Sequence, residues 1–298
     1  PRSITQHGHL SLEKLKQAGF TLVYGPSGQQ PSEQEQLTIL PECIGYLAGI
    51  EPIGERVLKA AKNLKVISRN GVGIDNINLE AANHLGITIK IAGATNSQGV
   101  AELAIAFIFM IARSICTCNT HMKKGQWRRE KGIELEGKVL GIIGCGNIGR
   151  KVARMATGIG MGVLGYDLSP DISFNPNQRF KFVELDELFK HADIISLHCP
   201  PGETPIINKV SIMKMKDGII LINTARASLV EESALLEALN NGKIAKYATD
   251  VYNNEPPGLD ELIIHGKTMC TPHIGGYTIE SIDRAAEMAV DNLLKELS

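Results

Sequence analysis

Short apolar runs alternate along this chain with stretches whose apolar positions recur at helical spacing. In the first third, the runs Phe20–Tyr24, Ile44–Leu47, Val66–Ser68 and Ile87–Ile91 predict strands. Helical periodicity covers Leu10–Ala18, Ser32–Leu40, a stretch around Gly54–Ala61, and Leu79–Leu85; Ser32 with Glu35 spells a capping box. Pro1-Arg2-Ser3 reads as a loop following a strand that would precede the numbering. Gly93-Ala94-Thr95-Asn96-Ser97 breaks the alternation. Val100–Arg113, apolar nearly all round, predicts a helix buried between two packed bodies. A helix over His121–Gly125 follows, then a solvated basic loop, Trp127-Arg128-Arg129, with one anchored Trp. From Lys138 the alternation resumes, with strands ending at Ile143, Tyr166, Val183, His198, Asn223 and Thr249. Helices are predicted from Arg150 and over Leu185–His191, Ser211–Met215, Glu231–Asn240 and Thr278–Leu297. Such β-α alternation predicts two α/β bodies built on parallel sheets.

Composition narrows the partners. The length of 298 residues suggests about two domains. A net charge of −1 provides no overall field for nucleic acid or an anionic membrane. The longest apolar run, Leu103–Ala112, is about half a membrane span. The six cysteines form no CxxC pair and no Cys/His cluster at zinc spacing, so no metal site is expected. They read as small buried hydrophobes in a reducing cytoplasm.

Gly144, Gly146 and Gly149 stand at G-x-G-x-x-G spacing between a strand and a helix, and Asp167 closes the next strand. The first glycine permits the tight turn, and the second lets a pyrophosphate reach the backbone at a helix N-terminus. The third lets helix and strand pack closely. Asp167, eighteen residues beyond Gly149, can grip the ribose hydroxyls of NAD and repel the 2′-phosphate of NADP. Outside the strands' carboxyl ends, where such folds bind ligands, three stretches carry chemistry: Asn223–Arg226, Asp250–Pro257 and Thr271–Gly276. Arg226 can hold a planar carboxylate with its fork. His273 can give or take a proton, and Glu255 can pair with it and favour the imidazolium. Together they suit hydride transfer between NAD and a 2-keto acid.

At these residues the chain resembles the NAD-dependent D-2-hydroxyacid dehydrogenase family, most of all its 3-phosphoglycerate branch. The likeness covers essentially the whole length, and Asn70-Gly71-Val72-Gly73-Ile74-Asp75-Asn76 and Pro272-His273-Ile274-Gly275 belong to it. It implies a Rossmann-type doubly wound cofactor domain over 94–275 that mediates homodimerisation. A smaller flavodoxin-like substrate domain is implied from 1–93 and 276–298. It implies catalysis by Arg226, Glu255 and His273. Further cofactor contacts are implied at Asn147, Ile148, Cys199, Thr224, Ala225, Asp250, Gly275 and Gly276. The amides of Gly71, Val72 and Gly73, beside Asn70, would receive the substrate carboxylate. The expected substrate is 3-phosphoglycerate. Reduction of glyoxylate, hydroxypyruvate or another small 2-keto acid is the alternative, and an NAD-sensing corepressor-like scaffold is a third reading. Ala48-Gly49-Ile50-Glu51 carries no cation where phosphoglycerate-type members can carry an arginine, so Arg69 would have to bind the phosphate. Ala227-Ser228 and Cys145 also depart from the usual pattern.

Overall fold

Strand pairing sorts the chain into two parallel sheets, seen in a computed structural model that describes Pro1 to Ser298, the side chain of Ser3 excepted. Contacts divide it into two compact units, Pro1–Asn96 with Tyr277–Ser298, and Ser97–Gly276.

The first unit carries α1 (Arg2–His7), α2 (Leu12–Gln17), α3 (Glu33–Ile39), β1 (Gly45–Ala48), α4 (Glu55–Ala60), β2 (Val66–Arg69), α5 (Leu79–His84) and β3 (Thr88–Ile91). Its sheet has the order β1-β2-β3. The capping box forms: Ser32 accepts from the Glu35 amide, and the Glu35 carboxylate accepts from the Ser32 amide at 2.7 Å. Two expectations fail here. Pro1–Ser3 opens a helix, seated by Ile4 at 3% exposure, and does not form a loop. Phe20–Tyr24 joins no sheet; Phe20 and Leu22 pack on an apolar cluster, but the backbone is laddered to no strand.

The second unit carries α6 (Ser97–Ala112), α7 (Ile115–Lys123), β4 (Val139–Ile143), α8 (Asn147–Gly158), β5 (Gly162–Tyr166), β6 (Phe180–Phe182), α9 (Leu185–His191), β7 (Ile194–Leu197), α10 (Lys209–Lys214), β8 (Ile219–Asn223), α11 (Glu232–Asn241), β9 (Ile244–Thr249), α12 (Glu261–Ile264) and β10 (Thr268–Cys270). A last helix, α13 (Ile279–Leu297), returns to the first unit. The order β10-β9-β8-β7-β4-β5-β6 reverses direction between β4 and β7, the switch point where doubly wound sheets open a ligand crevice. Helix α6 packs inside this unit on α8, burying Ala101, Ala104, Phe107 and Ile108 in one core with Ile142, Val152 and Ile222.

Two sequence readings of side chains need correction. Trp127 is 82% exposed, so it anchors nothing within the chain. Of the six cysteines only Cys145 is buried, while Cys116 is exposed and the rest lie between. No single helix among the described residues is long and apolar enough to cross a membrane.

Candidate functional site

The glycine loop after β4 has the shape its spacing implies. Gly144 takes φ +95°, and a Cβ there would lie 2.5 Å from the Cys199 amide nitrogen. One on Gly149 would lie 2.0 Å from the Gly144 carbonyl oxygen. The ends of β4 and β7 therefore meet backbone to backbone, and neither glycine tolerates a side chain. At Gly146 the same construction meets nothing, which leaves open space before α8. No side chain caps that helix, so its first amides are open to the space Gly146 leaves; Asn147 is exposed, while Ile148 packs partly buried against the core. This cradle fits the pyrophosphate of a dinucleotide. Two further polar atoms stand without a hydrogen-bond partner at adjacent strand ends, Nδ1 of His198 after β7 and Oγ1 of Thr224 after β8.

Asp167 ends β5 already engaged: its carboxylate accepts from the Cys145 amide at 2.7 Å and the Ser169 amide at 2.9 Å. These bonds hold it against the glycine loop. Burial pushes the Cys145 thiol up to about 12, which leaves it a neutral apolar filler. His198 keeps some exposure as a residue, yet its Nδ1 is buried, and burial pushes the imidazole down to about 3. It is neutral at pH 7 and shares a 2.8 Å hydrogen bond with Ser196.

Parallel pairing sets β8, β9 and β10 side by side, Asn223 beside Thr249 and Thr249 beside Cys270. The three candidate catalytic residues follow these ends on one rim. Asn223, fully buried, donates Nδ2 to the Arg226 carbonyl at 2.8 Å and accepts from the Ala225 amide at 3.1 Å. That clamp shapes the turn presenting Arg226, whose Nη1 donates to the Ala225 carbonyl at 2.8 Å. After β9, Asp250 is 1% exposed and accepts three hydrogen bonds, from Thr271 Oγ1 (2.6 Å), the Ile274 amide (2.8 Å) and the Gly275 amide (2.7 Å). Those bonds bracket His273, whose φ of +52° is left-handed and costs a non-glycine residue about 1–2 kcal/mol. Its Nδ1 lies 2.7 Å from one Glu255 oxygen and 2.8 Å from the other. Nε2 is thereby left as the end that can exchange a proton. Tyr252 ties the two loops together, its amide donating to Glu255 at 3.2 Å and its hydroxyl to the Thr271 carbonyl at 2.7 Å.

The remaining candidates, Arg69 to Gly73, lie in the first unit. Arg69 is 6% exposed, and its Nη1 donates to the Asn70 carbonyl at 2.8 Å. A Cβ on Gly71 would come within 2.9 Å of that nitrogen, so the guanidinium lies folded under the loop. Gly71, Val72 and Gly73 follow as open backbone, with the Val72 side chain exposed. Glu51, beyond the end of β1, is fully buried; its Oε1 accepts from the Tyr46 hydroxyl at 2.6 Å and the Gly49 amide at 2.7 Å. Its Oε2 has no hydrogen-bond partner. Among the described residues no group of three His, Cys, Asp or Glu could hold a metal ion.

Sequence reasoning passed over Asn223, Tyr252 and the positioning role of Asp250. An asparagine closing a buried apolar strand was a usable signal for the first, whereas nothing in the sequence pointed to Tyr252.

Comparison with known proteins matches this geometry to a family. Residues 105–275 match the D-isomer specific 2-hydroxyacid dehydrogenase family, NAD binding domain. The chain is 39% identical to a hydroxypyruvate reductase of Thermotoga maritima over 274 residues, 89% of this chain and 88% of that protein. It is 37% identical to the D-3-phosphoglycerate dehydrogenase of Sus scrofa over 92% of this chain but only 52% of that protein. Among solved structures, a D-lactate dehydrogenase from Aquifex aeolicus complexed with NAD and lactic acid superposes with a TM-score of 0.82 at 28% identity, covering 96% of this chain and 92% of that one. The chain is thus an NAD-dependent oxidoreductase, a member of the D-isomer specific 2-hydroxyacid dehydrogenase family.

Proposed function

We propose that this enzyme interconverts a small, unphosphorylated 2-keto acid and its 2-hydroxy acid, of the glyoxylate and hydroxypyruvate class, with Arg226, Glu255 and His273 carrying catalysis. The observation that carries the reading is the His273–Glu255 pair at 2.7 Å on the rim that also bears Arg226. Bound NAD supplies or accepts the hydride. Arg226 holds the substrate carboxylate and draws charge toward the carbonyl oxygen. His273 gives its Nε2 proton to the forming alkoxide, or removes it in the other direction, while Glu255 steadies the imidazolium. The amides of Gly71 to Gly73 receive the carboxylate, and Asn147, Ile148, Cys199, Thr224, Ala225, Gly275 and Gly276 line the dinucleotide. These assignments make residues 1–93 and 276–298 the substrate domain.

The substrate reading rests on charge. Arg69, the cation assigned to a phosphate tail, is 6% exposed and bonded to the Asn70 carbonyl. Glu51, a buried carboxylate, follows the neighbouring strand. With its assigned cation buried and bonded to its own loop, the first unit suits an unphosphorylated tail better. The phosphorylated three-carbon acid stays the second reading, supported by the 37% identity to a phosphoglycerate dehydrogenase. NADH oxidation against glyoxylate, hydroxypyruvate and phosphohydroxypyruvate tests this: the first two should turn over with higher kcat/KM than the third. Preference for phosphohydroxypyruvate reverses the assignment.

Homodimerisation through the second unit is part of the same reading. Its support is the set of large apolar side chains that α6 and α7 leave exposed, Phe109, Ile115 and Met122. Sedimentation equilibrium at the monomer mass would refute it. Six free thiols suit the cytoplasm.

A further inference from the structure

Arg150 lies in the first turn of α8, immediately beyond the glycine loop, and its guanidinium is held on three sides. Nε donates to the Cys145 carbonyl at 2.8 Å. Nη1 lies 2.9 Å from Asp171 Oδ2. The guanidinium carbon stands 5.5 Å from the centroid of the Phe174 ring, which carries a second arginine, Arg154, at 5.0 Å. The amide of that same Cys145 donates to Asp167, the acid assigned to the ribose hydroxyls. One residue thus places acid and cation a single peptide apart, Asp167 on its nitrogen and Arg150 on its oxygen.

In dinucleotide folds an arginine near the ribose-binding acid is the group that accommodates a 2′-phosphate, and its fork suits that anion. Asp171 occupies the fork here, and it is itself held, since its Oδ1 accepts from the Ser173 amide at 3.1 Å and the Ser173 hydroxyl at 2.6 Å. Both partners are partly exposed, so the pair contributes little to stability. Its consequence lies in what the cation is kept from. We propose that Asp171 determines cofactor choice by holding the fork of Arg150 away from the 2′ position of the ribose. The enzyme then rejects a 2′-phosphate twice, by the charge of Asp167 and by the occupation of Arg150. The hydrogen bonds from Ser173 and the charge of Arg150 hold the Asp171 carboxyl below its ordinary range, so the anion persists through any pH at which the enzyme works.

The test is equilibrium binding of NADH and NADPH to the whole enzyme, followed by nucleotide fluorescence, in the parent, Asp171→Asn, Arg150→Gln and the double variant. Asp171→Asn keeps the side-chain oxygen that shapes the turn at Ser173 but lacks the charge. It should improve the Kd for NADPH relative to NADH about tenfold or more, the range of a hydrogen bond to a charged group. The kcat/KM ratio should follow, mostly through KM. Adding Arg150→Gln should cancel the gain, which isolates the pair by a double-mutant cycle. Asp171→Ser gives an independent reading of the same ratio. An unchanged NADPH:NADH ratio in both Asp171 variants overturns the proposal. So does an equal change for the two cofactors, the mark of a loop tether, or a gain that survives the loss of Arg150.

Discussion

The two sheets treat charge at their strand ends in opposite ways. Beyond β9 and β10, Glu255 and His273 are 39% and 50% exposed, and they touch each other in the open. Beyond β1 and at the end of β2, Glu51 and Arg69 are 0% and 6% exposed and are bound to backbone on their own loops. A group that must gain and lose a proton needs access to water and substrate, and a low cost for either charge state. A buried ion needs fixed partners, and in return it fixes the shape of the loop around it. On the proposed reading, the second unit's rim serves proton exchange and the first unit's holds a shape.

The comparison breaks most visibly at His273. Replacing it with Asn should lower kcat about 10²–10⁴-fold, the usual loss for a general acid–base group, with the Kd for NADH largely kept. Near-parental kcat would pass the proton to another group; His198, neutral and buried at Nδ1, would be a poor one. Next in size is Glu51→Ala. It strands the Tyr46 hydroxyl and the Gly49 amide inside the first unit, at about 1–3 kcal/mol for each unsatisfied group. Urea unfolding should show a loss of about 2–6 kcal/mol in all. A loss under about 1 kcal/mol would mean that this rim is not held by its buried hydrogen bonds.

A third effect follows pH. His198 has its folded value lowered to about 3 by burial, against about 6.5 when unfolded. Between these values the unfolded chain binds the extra proton, so stability is intact above about pH 6.5 and is lost as pH falls below it. Relative to His198→Asn, the parent should lose up to about 1.4 kcal/mol per pH unit there. Parallel stability curves for the two proteins would contradict this. The smallest effect expected is on the exposed rim: Glu255→Gln should move unfolding stability by no more than about 0.5 kcal/mol. A loss comparable to that for Glu51→Ala would erase the distinction between the two rims.

Much of this was legible in the residues themselves. Three spaced glycines followed by Asp167 define one turn, because Gly144 and Gly149 leave no room for a side chain. Runs such as Ile219–Asn223, buried at every position, read as central parallel strands from composition alone. What escaped depends on distant partners. Phe20–Tyr24 is a short apolar run as many strands are, but a strand exists only where another backbone ladders with it. Trp127 looked like an anchor because indole is usually buried, and no local signal shows that it stands in solvent. The fate of Arg69 was hidden for the same reason, since whether a cation reaches outward or folds beneath Gly71 depends on where the Asn70 carbonyl lies.

The return of α13 to the first unit sets an order on folding. Ala286, Val290 and Leu293 complete the cluster that holds Ile4, Leu12, Leu15 and Val66, and Asn292 binds the Ile91 carbonyl at 3.1 Å. During synthesis the first unit must wait for this last helix, while the contiguous Ser97–Gly276 unit already has its whole core. Residues Pro1–Asn96 thus precede the second unit along the chain but are completed after it. For that interval Leu12, Leu15 and Val66 lack the apolar cover that Ala286, Val290 and Leu293 give them.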